Sequence, residues 1–443
     1  MLRALIWRTA VTNLSLSAMG LINSILLSRW LGPVGRGEIA AAMLWPMLLV
    51  YLSSMGLIAA ILYFSALPQS KVERVFANAV WLGLIQGAAA VLIGFVVLPS
   101  LLRSQPQSVI TTSRLFLLVI PISLISQYGV SVLQGQMKIR IFNWLRVILP
   151  AGYLIGTIVL IAIGRLGLVT IIVLHLVLNG LVLLATLTAL TKSGVRLVGA
   201  LNKSLIKQMI QYGAKVHVGS VSGLANSSLD QVLIAAVLPS RSLGLYVGAV
   251  GAAGLAQVFS IAVQMVSTPS IAQRTLESER AALLRSVFRR YWILSVPMSV
   301  AIAAILPIGI PLVFGTEFRE AIWTAEILLI GSLLIGARDV LSGGANALGD
   351  PWLTSKAQLW AMLATVVLLS VLLPVLGIIG AATASAVAYA IQLWIIVRGL
   401  HVSHSICSAS LFRIERGDIS AAFQVFSGLR ETLRSQQVPT EAK

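Results

Sequence analysis

Charge is scarce in this chain. Only 10% of its 443 residues are Asp, Glu, Lys or Arg, against about 25% in a soluble domain, which excludes an ordinary soluble enzyme. Acid is scarcer still, with 14 Asp and Glu facing 32 Lys and Arg. Cysteine occurs once, at Cys407, so a disulfide scaffold is excluded and the thiol is expected to be packed or idle. The four histidines, His175, His217, His401 and His404, show no zinc-site spacing with acids or cysteine. No glycine-rich phosphate loop precedes a Lys-Ser or Lys-Thr pair. The expectation is a protein that is not an enzyme, with no catalytic residue, no metal and no cofactor.

What is abundant is hydrocarbon: 58% of the residues are hydrophobic. A bilayer core takes roughly 20 apolar residues per helical span, and the apolar runs divide into twelve such segments. They fall near 5–27, 38–64, 76–102, 114–136, 141–163 and 167–190, then near 213–237, 244–267, 286–314, 321–347, 355–375 and 377–399. The first run lacks a small-residue cleavage site, so it reads as a span and not as a signal peptide. The fold class expected is therefore an all-α polytopic membrane protein of about twelve transmembrane helices.

The formal net charge of +18 does not mark a nucleic-acid binder, because the cations sit in short clusters between apolar segments. Twenty-three of the 32 Lys and Arg residues fall on one side of the predicted membrane and seven on the other, with Lys215 and Arg338 inside spans. The positive-inside bias then puts both termini in the cytoplasm, and an even number of spans agrees. Between the sixth and seventh spans, residues 191–212 carry Lys192, Arg196, Lys203 and Lys207 together with Leu201, Leu205, Ile206 and Ile210 at helical spacing. This predicts a cytoplasmic amphipathic linker. Residues 401–443 form a polar cytoplasmic tail in which Ile419, Ala422, Phe423, Phe426 and Leu429 mark one apolar helix face.

The linker divides a repeat. Leu31 to Ala42 can be laid on Leu238 to Ala249 with an offset of 207, which equates Gly37 with Gly244; Leu166 to Val169 falls on Leu376 to Ile379 with an offset of 210. Two six-helix bundles follow, residues 1–190 and 213–400, running parallel about an axis near the membrane normal. Transporters built from repeats place their substrate path between them. The spans that open each half carry stripes of small and polar residues at steps of three and four: Asn13, Ser17, Gly20, Ser24 and Ser28 in one, and Gly219, Gly223, Asn226 and Asp230 in the other. Small residues also let helices pack closely, but Asn and Asp are costly to leave in lipid, so Asn13 and Asn226 are candidate cavity residues.

Ionisable groups inside a span cost on the order of 2.5–3.5 kcal/mol at its centre, and each is a functional candidate by default. Asp230 is the candidate for a coupling proton or cation, with a structural carboxylate as the plain alternative. Arg338, just before the flexible Ser342-Gly343-Gly344, is the preferred central cation, since a guanidinium matches phosphate oxygens in two-pronged fashion. Its neighbour Asp339 points about 100° away around the helix, so the two need not pair. Lys215 and Arg146 are further substrate-binding candidates near the cytoplasmic mouth, where reaching the interface is the competing account. His175, among apolar residues, reads as a hydrogen-bonded core group.

Leu27 to Ala41, LSRWLGPVGRGEIAA, resembles the first-span exit of polysaccharide and O-antigen flippases, and Gly349 to Leu393 resembles their carboxy-terminal region. The latter includes Pro374-Val375-Leu376-Gly377-Ile378-Ile379-Gly380-Ala381-Ala382-Thr383-Ala384, whose small residues suit a short hairpin between the last two spans. The resemblance spans roughly residues 5–400 and implies a MATE-like superfamily member: two six-helix bundles forming a V-shaped transporter with a central cavity. It implies a flippase that moves undecaprenyl-pyrophosphate-linked oligosaccharide across the bacterial inner membrane for surface polysaccharide biosynthesis by alternating access. Implied partners are the lipid-linked oligosaccharide, membrane lipids and other polysaccharide assembly proteins, and no nucleic acid. The rivals are a MATE-like drug or cation antiporter, expected to want an acid-rich aromatic cavity, and a membrane scaffold of a polysaccharide assembly complex.

Overall fold

The computed structural model describes residues 2–67, 71–197, 199–256, 271, 274, 276–415 and 417–418, with side chains described at all of these except 2–8, 10 and 218–227. Among them there is no strand. The first nine helices are α1 (Leu2–Ser53), α2 (Leu57–Ala66), α3 (Val72–Leu101), α4 (Gln107–Phe116), α5 (Val119–Gly135), α6 (Ile139–Ala162), α7 (Leu168–Lys192), α8 (Lys203–Val237) and α9 (Ser240–Ala253). They are followed by α10 (Glu277–Phe314), a 3-10 turn (Thr316–Ala321), α11 (Ile322–Ala347), α12 (Pro351–His404) and α13 (Ser408–Phe412).

Eight helical stretches among the described residues are long and apolar enough to cross a membrane. Two of them each hold a pair of the predicted spans. In α1 the connection between spans one and two is no loop at all: Gly32 alone leaves the helical region, at φ 63° and ψ −176°, and Pro33 restarts the helix. Only glycine takes that backbone cheaply, and proline is well suited to a first helical turn. In α12 the same device recurs at Gly377. The predicted span 244–267 is described only as far as residue 256, and the apolar face expected at Ile419, Ala422, Phe423, Phe426 and Leu429 lies outside the described residues. No separate linker helix forms between spans six and seven. Residues 193–197 and 199–202 are not helical, and the amphipathic positions from Lys203 onward are the opening turns of α8, capped by the Asn202 side chain accepting from Leu205 N–H at 3.0 Å.

The chain packs as two compact units, Met1–Gly251 with Ile310–Ala321 and Leu376–Ile378, and Ala252–Gly309 with Ile322–Val375 and Ile379–Lys443. In the first unit α5 is central, packed on α2, α3 and α7. Its Tyr128 is fully buried and donates to Gln86 Oε1 at 2.8 Å, facing Gly83, where any side chain would collide with the ring. Outward-facing Leu92, Ile93, Val96 and Ile155 are exposed, as suits helices bathed in acyl chains and not water. The helix pair at α1 and α9 is tighter than any side chain would allow. A Cβ on Gly37 would fall on the Ser240 carbonyl, and one on Gly244 would fall on the Pro33 carbonyl. The repeat offset of 207 relates Pro33 to Ser240 as it relates Gly37 to Gly244, so the contact is reciprocal.

The second unit is organised around Leu284, Phe288 and Tyr291 of α10, Leu341 of α11 and Ile396 and Leu400 of α12. The segment after α12 docks back onto it. Leu411 is buried in that core, and Phe412 meets Phe288 edge to face at 5.4 Å. Arg289 of α10 anchors this return through Asp418 and Glu415, each at 2.7 Å. Cys407 is exposed, not packed, at the cap of α13.

Candidate functional site

Within the first unit, α1 and α6 pack face to face. Asn143 Nδ2 donates to Thr9 Oγ1 at 3.1 Å, and Arg146 Nη2 donates to Asn13 Oδ1 at 3.0 Å. Steps of four on α1 and three on α6 put these residues on facing stripes, so they form two rungs of one polar ladder. Two expected lining residues, Arg146 and Asn13, therefore meet directly. The Arg146 guanidinium also lies over the Phe142 ring, 5.1 Å from its centre. Its hydrogen-bond partner is a neutral amide, and among the described residues no carboxylate stands within ion-pair distance. The positive charge is thus oriented without being neutralised. Farther along α1 the stripe opens: Ser17 and Gly20 are exposed, and no described residue lies within 4 Å of where a Gly20 side chain would start. Tight packing does not explain Gly20.

A second polar cluster lies closer to Gly32. Asn23, 5% exposed, hydrogen-bonds Tyr153 of α6, and Tyr153 stands beside Arg36 on the second arm of α1. The Tyr153 ring meets His175 of α7 edge to face at 4.9 Å, with Phe116 closing the other side at 5.5 Å. His175 is 7% exposed, and neither ring nitrogen has a hydrogen-bond partner among the described residues. The expectation of a hydrogen-bonded core histidine is corrected: aromatic edges hold this ring, not hydrogen bonds. Asn23 Oδ1 and Arg36 Nε are also unpaired among the described residues. Arg36 and Tyr153 are not among the sequence candidates, because Arg36 falls between the first two apolar runs, where a loop is expected. The available signal was Gly32-Pro33, which can turn a helix back into the membrane without a loop.

Asp230, toward the C-terminal end of α8, is 6% exposed. Its Oδ2 accepts from the fully buried Tyr246 hydroxyl of α9 at 2.5 Å, and its Oδ1 accepts from Gln231 N–H at 2.7 Å. Nearby, Ser240 Oγ donates to Gln105 Oε1 at 2.7 Å, while Gln105 Nε2 donates to the Ala235 and Leu238 carbonyls, at 2.7 and 2.8 Å. The end of α8 is thereby tied to the turn between α3 and α4. Asp230 is consequently an anchored acid. Lys215 is exposed on α8. Asn226 lies on the same helix, with its side chain outside the described residues.

In the second unit Arg338 forms an ion pair with its own neighbour Asp339, Nη1 to Oδ1 at 3.0 Å. Around a helix the two Cβ atoms do diverge, but a guanidinium on a flexible stem bridges the gap. The preferred central cation therefore has its charge largely compensated. In the same unit His404 Nδ1 stands 2.8 Å from Glu277 Oε1. Among the described residues no group of three or more His, Cys, Asp or Glu is arranged to hold a metal.

Membrane-length helices, spans turned on single glycines and polar seams buried between helices define a multi-pass helical membrane protein. The chain belongs to the polysaccharide biosynthesis protein family, whose profile matches residues 26–323. It is 24% identical over 189 residues to the probable low-salt glycan biosynthesis flippase Agl15 of Haloferax volcanii, a match spanning 42% of this chain and 40% of that protein. Its fold is similar to that of the lipid II flippase MurJ in an inward closed conformation. That likeness has a TM-score of 0.75 at 13% identity and covers 96% of this chain and 93% of that one. It is also similar to an inward-facing multidrug resistance transporter of the MATE family, MOP superfamily, with a TM-score of 0.69 at 14% identity, covering 90% and 98% of the two chains. At such identities these likenesses describe the fold.

Proposed function

We propose that the chain is a flippase that carries undecaprenyl-pyrophosphate-linked oligosaccharide units from the inner to the outer leaflet of a bacterial cytoplasmic membrane, for surface polysaccharide assembly. The observation that carries this reading is Arg146. A guanidinium on a membrane-length helix, oriented by the Asn13 amide and without a carboxylate within ion-pair distance among the described residues, matches phosphate oxygens in two-pronged fashion. It keeps an attraction for a diphosphate that an internal ion pair would have spent. The structure shifts the preference among the candidate cations from Arg338 to Arg146, with Lys215 as a second, exposed cation on α8. Membership of the polysaccharide biosynthesis family and the name of the Haloferax relative support a glycan-carrying substrate.

In this reading the two repeats, 1–190 and 213–400, are the halves that alternate access, with both termini in the cytoplasm. A ligand shifts such an equilibrium only by binding its two states unequally, and Asp230 is the proposed group through which a proton or cation supplies bias. The second reading, a drug or cation antiporter, is favoured by the MATE-like neighbours in fold. It predicts dye efflux that depends on Asp230 and not on Arg146. Purified protein in vesicles, given a fluorescent lipid-diphosphate-linked sugar and a dithionite-type quencher outside, separates the two. Accelerated loss of protection, abolished in Arg146→Gln, supports the flippase. Dye export with no glycolipid movement rejects it.

A further inference from the structure

At the cytoplasmic ends of α2, α3 and α8 lies a pocket of ≈ 420 Å³ lined by Phe64, Leu67, Lys71, Arg74, Val75, Asn202, Ser204, Leu205 and Gln208. Its wall is divided by chemistry. Phe64, Leu67, Val75 and Leu205 supply an apolar side. Lys71 and Arg74 supply two cations that have no ion-pair partner among the described residues. Ser204 and Gln208 add a hydroxyl and an amide one turn apart on α8. The first turn of that 35-residue helix faces the same place and adds its own partial positive charge.

Aromatic residues fix the depth. Tyr63 and Tyr212 stack at 4.8 Å with their planes 13° apart, and Phe64 meets Tyr212 edge to face at 6.2 Å. Tyrosines of this kind gather where hydrocarbon gives way to headgroups. The positive-inside count places the pocket in the cytoplasmic leaflet.

We propose that this pocket binds the phosphate headgroup of one membrane lipid, with Lys71 and Arg74 on the phosphate oxygens, Ser204 and Gln208 completing the hydrogen bonds, and the start of an acyl chain against Phe64 and Leu205. Basic pockets between cytoplasmic helix ends recognise anionic headgroups in this way. The site is separate from Arg146 and Asn13, and its test does not depend on the transport reading. A phosphate species free in solution shares the chemistry of the head but makes no use of the apolar wall.

The test is retention of phosphatidic acid by the full-length protein in neutral detergent, read by native mass spectrometry, where no charged bilayer surface adds general attraction. The wild-type protein is expected to keep one phosphatidic acid. Lys71→Gln/Arg74→Gln is expected to lower its affinity roughly 10- to 30-fold, the worth of two cations beside a lipid phosphate. Arg196→Gln/Lys207→Gln removes the same charge from exposed positions outside the pocket and is expected to retain the lipid. Equal loss in the two variants would mean attraction to net charge alone and would overturn the site. Inorganic pyrophosphate is the second arm. Failure to displace the lipid supports the membrane source, and complete displacement at comparable concentration makes the occupant a soluble phosphate and overturns the lipid assignment.

Discussion

Gly37 and Gly244 meet backbone to backbone, each occupying the space where the other's half of the contact would place a side chain. They are also the two residues that the internal repeat equates. The partners confirm the reciprocity: Gly37 faces the Ser240 carbonyl and Gly244 faces the Pro33 carbonyl.

Gly37→Ala and Gly244→Ala are each expected to destabilise the protein. The added carbon meets backbone and not the end of a flexible side chain, and overpacking of this kind costs about 1–3 kcal/mol. Thermal unfolding in detergent reads it, with Gly20→Ala as the control because open space surrounds Gly20. An unchanged midpoint for both crossing variants would mean the helices separate freely there.

Arg146 and Asn13 act as one unit in the proposed substrate contact. Arg146→Gln is expected to lower glycolipid translocation at least about tenfold, from loss of a charged hydrogen bond of roughly 1.5–3 kcal/mol. Asn13→Ala leaves the charge but frees its orientation, so its effect is smaller. A double-mutant cycle is expected to show coupling of about 0.5–3 kcal/mol. Strictly additive effects would show that the two residues act independently.

Asp230 and Tyr246 separate a packing role from a coupling role. Tyr246→Phe removes a donor from a buried carboxylate and is expected to cost about 1–3 kcal/mol of stability. Asp230→Asn retains an oxygen to accept the Tyr246 hydroxyl, so the fold is expected to survive. Loss of gradient-driven transport in that variant, with downhill movement intact, assigns coupling to Asp230. Full gradient-driven transport leaves it a structural acid.

Arg289 fastens the segment after α12 to the second unit through Asp418, which is itself buried. Breaking a buried pair from one side costs about 3–5 kcal/mol, because the remaining charge stays unpaired. Arg289→Ala is expected to loosen the segment around the already exposed Arg413 and so speed tryptic cleavage there, followed by mass spectrometry. Arg289→Met/Asp418→Leu is expected to recover much of the protection, since an apolar pair leaves no stranded charge. Equal cleavage of wild type and Arg289→Ala would mean the docked segment is held by Leu411 and Phe412 alone.

The spans were legible because hydropathy adds up along the chain. The described helices carry the predicted apolar segments, and the turn residues Gly32 and Gly377 fall at two of their boundaries. The candidate site was only half legible. Asn13 and Arg146 stood out as polar residues in apolar spans, but 133 residues separate them, and no periodicity announces that distant partners will meet. Arg36 escaped notice because a short polar stretch between two apolar runs looks like a loop. His175 was misread because aromatic edges replaced the hydrogen bonds its ring was expected to make.

Composition and run length therefore settled on their own that this is a many-spanned helical membrane protein. Each of those properties is a sum over neighbours in the chain, and a bilayer enforces it residue by residue. Which charge stays uncompensated was decided only by the fold. Arg338 finds a carboxylate beside it and Arg146 finds an amide across a helix interface, because pairing depends on where side chains of separate helices end, to within an ångström.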